Sequence, residues 1–248
     1  MQLQDRVAVV TGSAQGIGRG VAELYASEGA KVAVVDLQQE KAEEVANSIV
    51  KNGGTALAVS CDVSDHNDVS RTAEYIAGEL GTIQILVNNA GITRPAMLRK
   101  MTNDDWHAVQ RTHVDGSFYW VKAVLEQMIE SGFGRLIFSS SSTAQNGSIG
   151  QVNYSAAKSA MLGIMRSAAR ELGKYGITSN AVAPSAATDM THTVRTDPRF
   201  ADGIKRLPIG RWAEPEEIAP VYLFLASQAS SYMTGQVLSV DGGGMFVR

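Results

Sequence analysis

Cysteine is almost missing from this chain of 248 residues, in which Cys61 is the single example. One cysteine excludes an internal disulfide framework and a cluster of thiolates around a metal. A free cysteine of this kind is typically a small buried residue. The four histidines also lack the spacing of metal ligands, so the sequence predicts no metal site.

Long hydrophobic runs and an excess of positive charge are missing as well. No apolar stretch approaches the ~20 residues that a transmembrane helix needs, and the first residues lack the cationic and apolar segments of a signal peptide. With 22 Lys+Arg against 25 Asp+Glu, the net charge is −3, whereas sequence-independent binding to nucleic acid relies on many basic residues. We therefore expect a globular, cytoplasmic protein that binds neither nucleic acid nor a membrane.

What the chain does contain is an alternation of short runs rich in Val, Ile and Leu with longer helical patterns. Several runs are apolar on both faces, as in parallel strands covered by helices on each side. The predicted strands are Arg6–Val10, Lys31–Asp36, Ala56–Ser60, Ile83–Asn88, Arg135–Ser139, Thr178–Ala183 and Val237–Val240. The predicted helices are Gly16–Glu28, Gln38–Lys51, Val69–Leu80, Asp104–Glu130, Tyr154–Tyr175 and Pro215–Leu225. The alternation predicts a single α/β domain over residues 1–248, with a doubly wound, parallel, seven-stranded sheet and helices on both faces.

A long segment without a predicted element follows the sixth strand. Loops of this length at the carboxyl end of a strand are more often functional than accidental. We predict a substrate lid over about residues 185–212; a surface excursion with a short helix of its own is the alternative. An arginine in the lid is able to clamp a carboxylate. The side chains that the lid offers to a substrate are Met190, His192, Arg195 and Arg199.

A glycine-rich turn, Thr11-Gly12-Ser13-Ala14-Gln15-Gly16-Ile17-Gly18, directly follows the first strand and opens the first helix. Its glycines let the backbone turn sharply and approach a pyrophosphate, while the helix start presents free N–H groups to the phosphates. Any tight turn favours glycine, so the strand–turn–helix context carries the inference. A doubly wound sheet with such a turn is of the Rossmann type. The predicted dinucleotide contacts in the turn are Gly12, Ser13, Gln15, Gly16, Ile17 and Gly18.

A carboxylate ends the second predicted strand. Asp36 lies 18 residues beyond Gly18, where it accepts hydrogen bonds from the adenosine ribose hydroxyls. The same charge repels a 2′-phosphate and Gln15 offers no arginine to it, so the sequence predicts NAD over NADP. The alternative is that Asp36 only caps the helix near Gln38. Further predicted cofactor contacts, for which turn formation is the alternative, are Leu37, Asp62, Val63, Asn89, Ala90 and Gly91.

Tyr154 and Lys158 lie four residues apart at the start of a predicted helix, so both side chains project from one face. A phenol with the ordinary pKa of about 10 is a poor acid or base at neutral pH. Lowering that pKa to about 7 requires roughly 4 kcal/mol, which one cation at ~4 Å supplies at an effective dielectric constant near 20. We therefore predict that Tyr154 is the general acid and base and that Lys158 activates it. Pairs with this spacing are common on exposed helices, so the prediction depends on the nearby nucleotide motif.

A run of four serines, residues 139–142, ends the predicted fifth strand. A hydroxyl at the carboxyl end of a strand is placed to hydrogen-bond a substrate oxygen that the tyrosine holds. Ser141, which precedes Tyr154 by thirteen residues, is the predicted catalytic serine, and Ser142 is the second choice. For the other serines we expect an ordinary polar loop.

These motifs together resemble the short-chain dehydrogenase/reductase family over essentially the whole chain. The resemblance also includes Asn88-Asn89-Ala90-Gly91 and the ending Val240-Asp241-Gly242-Gly243. In particular, the chain is similar to the branch that contains bacterial 3-oxoacyl-carrier-protein reductases and many NAD-linked secondary-alcohol dehydrogenases. The resemblance implies that Tyr154 is the acid and base, that Ser141 orients the carbonyl or hydroxyl, and that Lys158 also holds the nicotinamide ribose. It also implies a homotetramer that assembles through the long helices after the fourth and fifth strands.

One departure from the family pattern concerns a histidine. The family places an asparagine in a segment Asn-x-x-Gly-x-Phe, where this chain reads His113-Val114-Asp115-Gly116-Ser117-Phe118. That asparagine helps to hold a water that relays protons from the lysine to solvent. Histidine donates and accepts hydrogen bonds and titrates near pH 6.5, so His113 is predicted to replace the asparagine in this relay. The alternative is a histidine that simply packs.

A second departure follows the sixth strand, where Pro184-Ser185-Ala186-Ala187-Thr188 stands in place of Pro-Gly, three residues and Thr. The spacer is one residue shorter, and alanines replace the bulky apolar residue that the family sets against the nicotinamide. Pro184 and Thr188 are still predicted cofactor contacts. The pocket beside the ring is expected to be wider.

Three functions are compatible with these features. The first is an NAD(H)-dependent oxidoreductase that moves a hydride between nicotinamide and a small secondary alcohol or ketone. The second is a 3-oxoacyl-thioester reductase, which requires NADPH and a basic surface for an acidic carrier; Asp36 and Gln15 argue against it, whereas Arg94, Arg99 and Lys100 keep it open. The third is a non-catalytic NAD-binding sensor, which the intact serine, tyrosine and lysine set argues against.

Overall fold

One parallel sheet forms the centre of the computed structural model, which describes residues 1–196 and 207–244. Its seven strands follow the order β3-β2-β1-β4-β5-β6-β7, and each neighbouring pair is parallel. The strands are β1 (Val7–Thr11), β2 (Lys31–Asp36), β3 (Thr55–Ser60), β4 (Ile83–Asn88), β5 (Gly134–Ser139), β6 (Ile177–Pro184) and β7 (Val237–Val240). The predicted seven-stranded, parallel sheet is confirmed, and the strand ends differ from the prediction by at most one residue.

Helices cover both faces of this sheet. They are α1 (Gly16–Ser27), α2 (Gln39–Lys51), α3 (His66–Leu80), α4 (Asn103–Gln110), α5 (Gly116–Ser131), α6 (Thr143–Asn146), α7 (Val152–Leu172), α8 (His192–Thr196) and α9 (Pro215–Ala226). On one face, α1, α2 and α9 pack around buried residues such as Tyr25 and Tyr222. On the other face, α3, α5 and α7 pack around Trp120 and Met165. Burial from both sides explains why every residue of β1 and β5 is buried.

The single helix predicted over Asp104–Glu130 is wrong. The chain forms α4, then a π-helical turn over Arg111–Asp115, and then α5. A π turn adds a residue to the helix and changes which residues face inward. Here it buries His113 and brings Gly116 so close to the segment after β3 that a Cβ at this position would lie 2.9 Å from the Val63 carbonyl oxygen. Tertiary packing therefore overrides a periodicity that suits one continuous helix.

The predicted lid is only partly described. Between residues 185 and 212, the structure shows a 3₁₀ turn over Asp189–Thr191, followed by α8. Residues 197–206, which include Arg199, lie outside the described residues. The short helix of the alternative interpretation is therefore present, and a lid stays a prediction.

The strand order reverses between β1 and its neighbours β2 and β4, where a crevice opens beyond the carboxyl ends. Close packing of α1 against the turn after β1 shapes this crevice. A Cβ at Gly18 would lie 2.2 Å from the Gly12 carbonyl oxygen and 2.6 Å from Asn89 Nδ2. In the described part of the chain, no helix combines the length and apolar character needed to cross a membrane.

Replacement of Gly18 by alanine tests this packing. We expect Gly18→Ala to lower the free energy of unfolding by at least about 1–3 kcal/mol, because the new methyl group overlaps backbone that is unable to yield. Gly78→Ala in α3 is the matched control, since a Cβ there has nothing within 4 Å; it should stabilise by about 0.5–1 kcal/mol. Urea unfolding measures both changes, and equal stability of the two variants would contradict the packing argument.

Candidate active site

A cavity of about 580 Å³ lies at the carboxyl ends of the strands, within the size range of ligand pockets. Elements from both halves of the sheet contribute to its wall. The predicted site residues that line it are Gly12, Gln15, Gly16, Ile17, Asp36, Leu37, Asp62, Val63, Asn89, Ala90, Gly91, His113, Tyr154, Lys158, Pro184 and Thr188. The structure thus brings together residues that are up to 176 positions apart in the sequence (Gly12 to Thr188).

The glycine turn forms one side of the cavity. Gly12 and Gly16 have φ angles of +64° and +56°, a region that favours glycine. A Cβ at Gly12 would lie 2.8 Å from the Ala90 Cα atom, and one at Gly16 would lie 3.3 Å from the Thr188 Cγ2 atom. Bare backbone at these two positions leaves the groove that a pyrophosphate requires.

Two predicted contacts of the turn lie behind it instead. Ser13 is fully buried, and its hydroxyl donates a hydrogen bond to the Val10 carbonyl at 2.7 Å. Gly18 packs against Gly12, as described above. Neither residue lines the cavity, so within the structure they support the turn. Sequence spacing alone does not distinguish a supporting position from a contact position.

The Asp36 carboxylate is held by two backbone groups. Oδ2 accepts a hydrogen bond from the Ala14 N–H at 3.1 Å, and Oδ1 accepts one from the Gln38 N–H at 3.1 Å. The second bond corresponds to the capping role considered above, but the side chain also lines the cavity. Asp62 likewise accepts hydrogen bonds from both the backbone and the hydroxyl of Ser64. Both carboxylates therefore shape their turns and face the site.

The start of α7 carries the pair of residues predicted to be reactive, Tyr154 and Lys158. Tyr154 is partly buried and Lys158 is 3% exposed, and the ammonium lies 5.5 Å from the centre of the Tyr154 ring. Lys158 Nζ donates a hydrogen bond to the Ser139 carbonyl oxygen. Ser141 lies close enough to the Tyr154 hydroxyl to lower its pKa, and its Oγ accepts the backbone N–H of Thr143 at 3.2 Å. The serine, tyrosine and lysine chosen from the sequence are thus neighbours in the structure.

Burial opposes ionisation of both members of the pair. It raises the pKa of Tyr154 to about 12, an effect that the nearby Ser141 partly offsets. Burial also lowers the pKa of Lys158 to about 7. Lowering the tyrosine pKa from about 12 to about 7 requires about 7 kcal/mol. The sequence-based estimate of 4 kcal/mol was too low because it started from an unburied phenol, and Lys158 alone does not supply the difference.

The remaining serines have different environments. Ser139 is structural, since its hydroxyl bonds with Asn89 Oδ1 at 3.0 Å and with the Tyr222 hydroxyl at 2.7 Å. Ser140 contributes to the cavity wall, and its buried Oγ has no hydrogen-bond partner among the described residues. Ser142 lies at the start of α6 and its side chain makes no capping bond. Ser139 and Ser140 are therefore buried, which differs from the ordinary polar loop that was expected.

His113 lies in the π turn and lines the cavity, with 1% of its surface exposed. Burial and the charge of Lys158 lower its pKa to about 3. The expected titration near pH 6.5 is therefore not supported, because the ring stays neutral near that pH. A role in a proton relay stays a prediction, and such a role would have to use the neutral imidazole.

Asn153 is a residue that sequence reasoning missed. It is fully buried, and its Oδ1 accepts the backbone N–H of Tyr154 at 2.8 Å. Its Nδ2 donates to the carbonyls of Arg94 at 2.9 Å and Asp105 at 3.2 Å, while its own carbonyl accepts from Gln110. Asn153 thereby fixes the first turn of α7 to the segment after β4 and to α4. An amide directly before the reactive tyrosine is the signal that was available.

The residues present fit a dinucleotide. The side-chain-free groove at Gly12 and Gly16 admits phosphates next to the start of α1, and Asp36 offers a carboxylate to ribose hydroxyls. Beside this groove, the Ser141–Tyr154–Lys158 set provides a proton donor and acceptor. Such a combination defines an oxidoreductase that exchanges a hydride with a nicotinamide. Within residues 1–196 and 207–244, no group of three or more His, Cys, Asp or Glu is arranged to hold a metal ion.

Comparison with known proteins agrees with this class. The family model described as Enoyl-(Acyl carrier protein) reductase matches residues 12–244. The 3-oxoacyl-[acyl-carrier-protein] reductase FabG of Chlamydia muridarum (strain MoPn / Nigg) is 39% identical over 243 residues, which are 97% of this chain and 98% of that protein. FabG of Vibrio harveyi is 40% identical over 245 residues, 98% of each chain.

Solved structures agree as well. A gluconate 5-dehydrogenase from Burkholderia cenocepacia J2315, in complex with NADP and tartrate, has a TM-score of 0.94 and 36% identity over 98% of this chain and 96% of that one. The chain belongs to the short-chain dehydrogenase/reductase family. It is an oxidoreductase that uses a nicotinamide cofactor and acts on CH–OH or keto groups of a small molecule.

Replacement of Asn153 by alanine tests its positioning role. The change removes the side-chain acceptor of the Tyr154 N–H and a donor to the carbonyls of Arg94 and Asp105. A buried polar group that is left unpaired costs about 1–3 kcal/mol. We expect a lower melting temperature and a lower kcat, since α7 is no longer anchored at Tyr154. Asn52→Ala at the exposed end of α2 is the control. Wild-type kcat and stability in the Asn153 variant would contradict the role.

Proposed function

We propose that this protein is an NAD(H)-dependent dehydrogenase or reductase that interconverts a secondary alcohol and a ketone, with Tyr154 as the general acid and base. The position of Tyr154 in the wall of the cavity, with the buried Lys158 ammonium 5.5 Å from its ring centre, is the observation that carries the proposal. When bound, the nicotinamide supplies the hydride for reduction and accepts it in oxidation. The residues of the chain orient the substrate oxygen and move the proton.

The position of Tyr154 and Lys158 in the cavity wall supports the following proton steps. In the reducing direction, the Tyr154 hydroxyl donates its proton to the carbonyl oxygen as the carbonyl carbon receives the hydride, so a ketone becomes an alcohol and a phenolate remains. In the oxidising direction, the phenolate takes the hydroxyl proton. The Ser141 hydroxyl donates a hydrogen bond to the same substrate oxygen, which fixes that oxygen near Tyr154. Lys158 stabilises the phenolate between these steps.

The energetics require more than the lysine. A cation at ~4 Å contributes about 4 kcal/mol at an effective dielectric constant near 20, against the roughly 7 kcal/mol needed to ionise Tyr154 at neutral pH. The effect of Ser141 is already contained in the pKa of about 12, so the positive charge of an oxidised nicotinamide would be the further contribution in the same direction. We therefore infer that Lys158 alone does not ionise Tyr154 at neutral pH.

Charge in the cavity supports NAD as the cofactor. The Asp36 carboxylate is fixed by two backbone N–H groups at the end of β2, where a 2′-phosphate would bring a further negative charge. Other carboxylates among the described lining residues add to that cost. They are Asp62, Asp189, Glu214 and Glu216. The solved gluconate 5-dehydrogenase contains NADP, so cofactor preference is the point at which this proposal departs from that neighbour.

The second candidate function is reduction of 3-oxoacyl thioesters on a carrier protein. The names of the curated relatives favour it. The basic side chains considered from the sequence, Arg94, Arg99 and Lys100, are exposed between β4 and α4. The Asp36 carboxylate argues against the NADPH that this function requires.

The lid over residues 185–212 and the homotetramer also stay predictions. In the described part of the lid, Met190 lines the cavity, whereas Arg195 donates a hydrogen bond to the Thr188 carbonyl.

Thermal unfolding with each cofactor tests the NAD proposal. At a hundred times its dissociation constant, a ligand stabilises by about 2.7 kcal/mol, and we expect this protection from NAD at concentrations where NADP gives little. Asp36→Asn should narrow the difference, because it removes the charge but keeps an acceptor. Glu44→Gln removes an equal charge on the exposed face of α2 and should leave the preference unchanged. Stronger protection by NADP in the wild type would overturn the assignment.

Replacement of Tyr154 by phenylalanine tests the chemistry. General acid and base catalysis typically contributes about 10²–10⁴-fold, so Tyr154→Phe should lower kcat by at least that range while cofactor protection persists. Tyr75→Phe on the exposed surface of α3 is the control. Turnover is followed by nicotinamide absorbance with a panel of alcohols, ketones and a 3-oxoacyl thioester. Activity on the thioester alone would favour the second candidate.

A further inference from the structure

The π turn over Arg111–Asp115 presents His113 to the site. Single π turns within α-helices are frequent at functional sites. Its imidazole lies between the turn after β4, at Gly91 and Ile92, and the ring of Tyr154 on α7. The contact with Ile92 is a hydrogen bond, and the contact with Tyr154 is an edge-to-face ring contact. The first limits proton transfer through His113, and the second constrains Tyr154.

The hydrogen bond limits proton transfer through the ring. His113 Nε2 lies 2.9 Å from the Ile92 carbonyl oxygen and 3.1 Å from the Ile92 nitrogen. One nitrogen of a neutral imidazole serves only one of these partners. Donation from Nε2–H leaves the buried Nδ1, which has no partner among the described residues, as an unpaired acceptor, whereas the other tautomer would leave an unpaired N–H donor there. We therefore assign the tautomer that donates from Nε2–H. This hydrogen bond ends on a backbone oxygen, which does not pass a proton onward.

The ring contact constrains Tyr154. The two ring centres are 5.3 Å apart with the planes at 89°, an edge-to-face arrangement. On the opposite side, a Cβ at Gly91 would lie 2.2 Å from His113 Cε1, so the imidazole fills the space next to the bare backbone. His113 therefore stands as a spacer between Gly91 and the reactive tyrosine.

The charge state agrees with such a spacer. The titratable groups that face His113 among the described residues are Tyr154 and Lys158, both on α7. Burial and the ammonium of Lys158 lower the histidine pKa to about 3. Because this pKa lies well below the pKa of about 7 of Lys158, the imidazole is expected to stay neutral near pH 7.

We propose that His113 is a positioning residue, a neutral imidazole that is tied to the Ile92 carbonyl and holds the Tyr154 ring edge-on without carrying a proton in the reaction. The inference rests on the proposed role of Tyr154 as acid and base. It opposes the idea that the imidazole replaces the family asparagine as a proton relay. An asparagine at this position has both a donor and an acceptor for Ile92 but has no ring for Tyr154.

Two substitutions separate the two contacts. His113→Asn keeps hydrogen bonding to Ile92 and removes the ring, whereas His113→Phe keeps a ring and removes the bond. Positioning predicts that His113→Asn lowers kcat by about three- to tenfold with little change in KM, and that His113→Phe retains more activity than His113→Asn. Neither variant should shift the pH–rate profile. A larger loss in His113→Phe than in His113→Asn, or a shifted profile in His113→Asn, would overturn the proposal.

A measurement on the unsubstituted protein covers the case in which a variant fails to fold. ¹⁵N NMR of the histidine side chains should show His113 as the neutral Nε2–H tautomer from pH 5 to 9, and a titration within that range or an Nδ1–H tautomer would contradict the proposal. The Tyr154→Phe variant separates the two levels of inference. An active Tyr154→Phe enzyme refutes the proposed function itself. If Tyr154→Phe is inactive but His113→Phe loses more activity than His113→Asn, the proposed function stands and only the positioning role of His113 is refuted.

Discussion

The hydrogen bond from the buried Lys158 amine to the Ser139 carbonyl is the contact on which the site depends. It joins the helix that carries Tyr154 to the end of strand β5. The same serine uses its hydroxyl to bond with Asn89, and Asn89 donates to the carbonyls of Thr11 and Gly12. A continuous chain of bonds thus connects the reactive pair with the glycine turn. Displacement of one end disturbs the other, because interior packing and buried polar networks have few alternative arrangements.

Burial of this network has opposite consequences for structure and for chemistry. It fixes the side chains within a rigid frame, which catalysis requires. It also raises the pKa of Tyr154 and lowers the pKa of Lys158, so that both shifts favour the neutral forms of the side chains. The cofactor-free site is therefore poorly ionised. Charge brought in by an oxidised nicotinamide has a larger effect in such surroundings than it has in water.

Much of this was predictable from the sequence. The sheet, the glycine turn, Asp36 and the Tyr154–Lys158 pair have local signatures, namely apolar runs, glycine spacing and a four-residue interval. The π turn has none, since Asp104–Glu130 carries a helical pattern throughout and only packing of Gly116 on Val63 reveals the extra residue. The burial of individual site residues also left no signal in the sequence. Three features depend on segments distant in sequence: the position of Ser13 behind the turn, the bond of Asn153 in the first turn of α7 to Arg94, and the low pKa of His113.

Asp36 links cofactor choice to the integrity of the glycine turn. Each of its oxygens holds a backbone N–H group, one of Ala14 and one of Gln38. A redesign for the phosphorylated dinucleotide must remove this carboxylate, yet removal also releases the two segments that it clasps. A basic residue at position 36 alone would therefore attract the added phosphate but would leave the backbone at Ala14 and Gln38 without its acceptor. A successful redesign needs a compact hydroxyl or amide at position 36 as a replacement acceptor, with the new positive charge placed on a neighbouring residue such as Leu37.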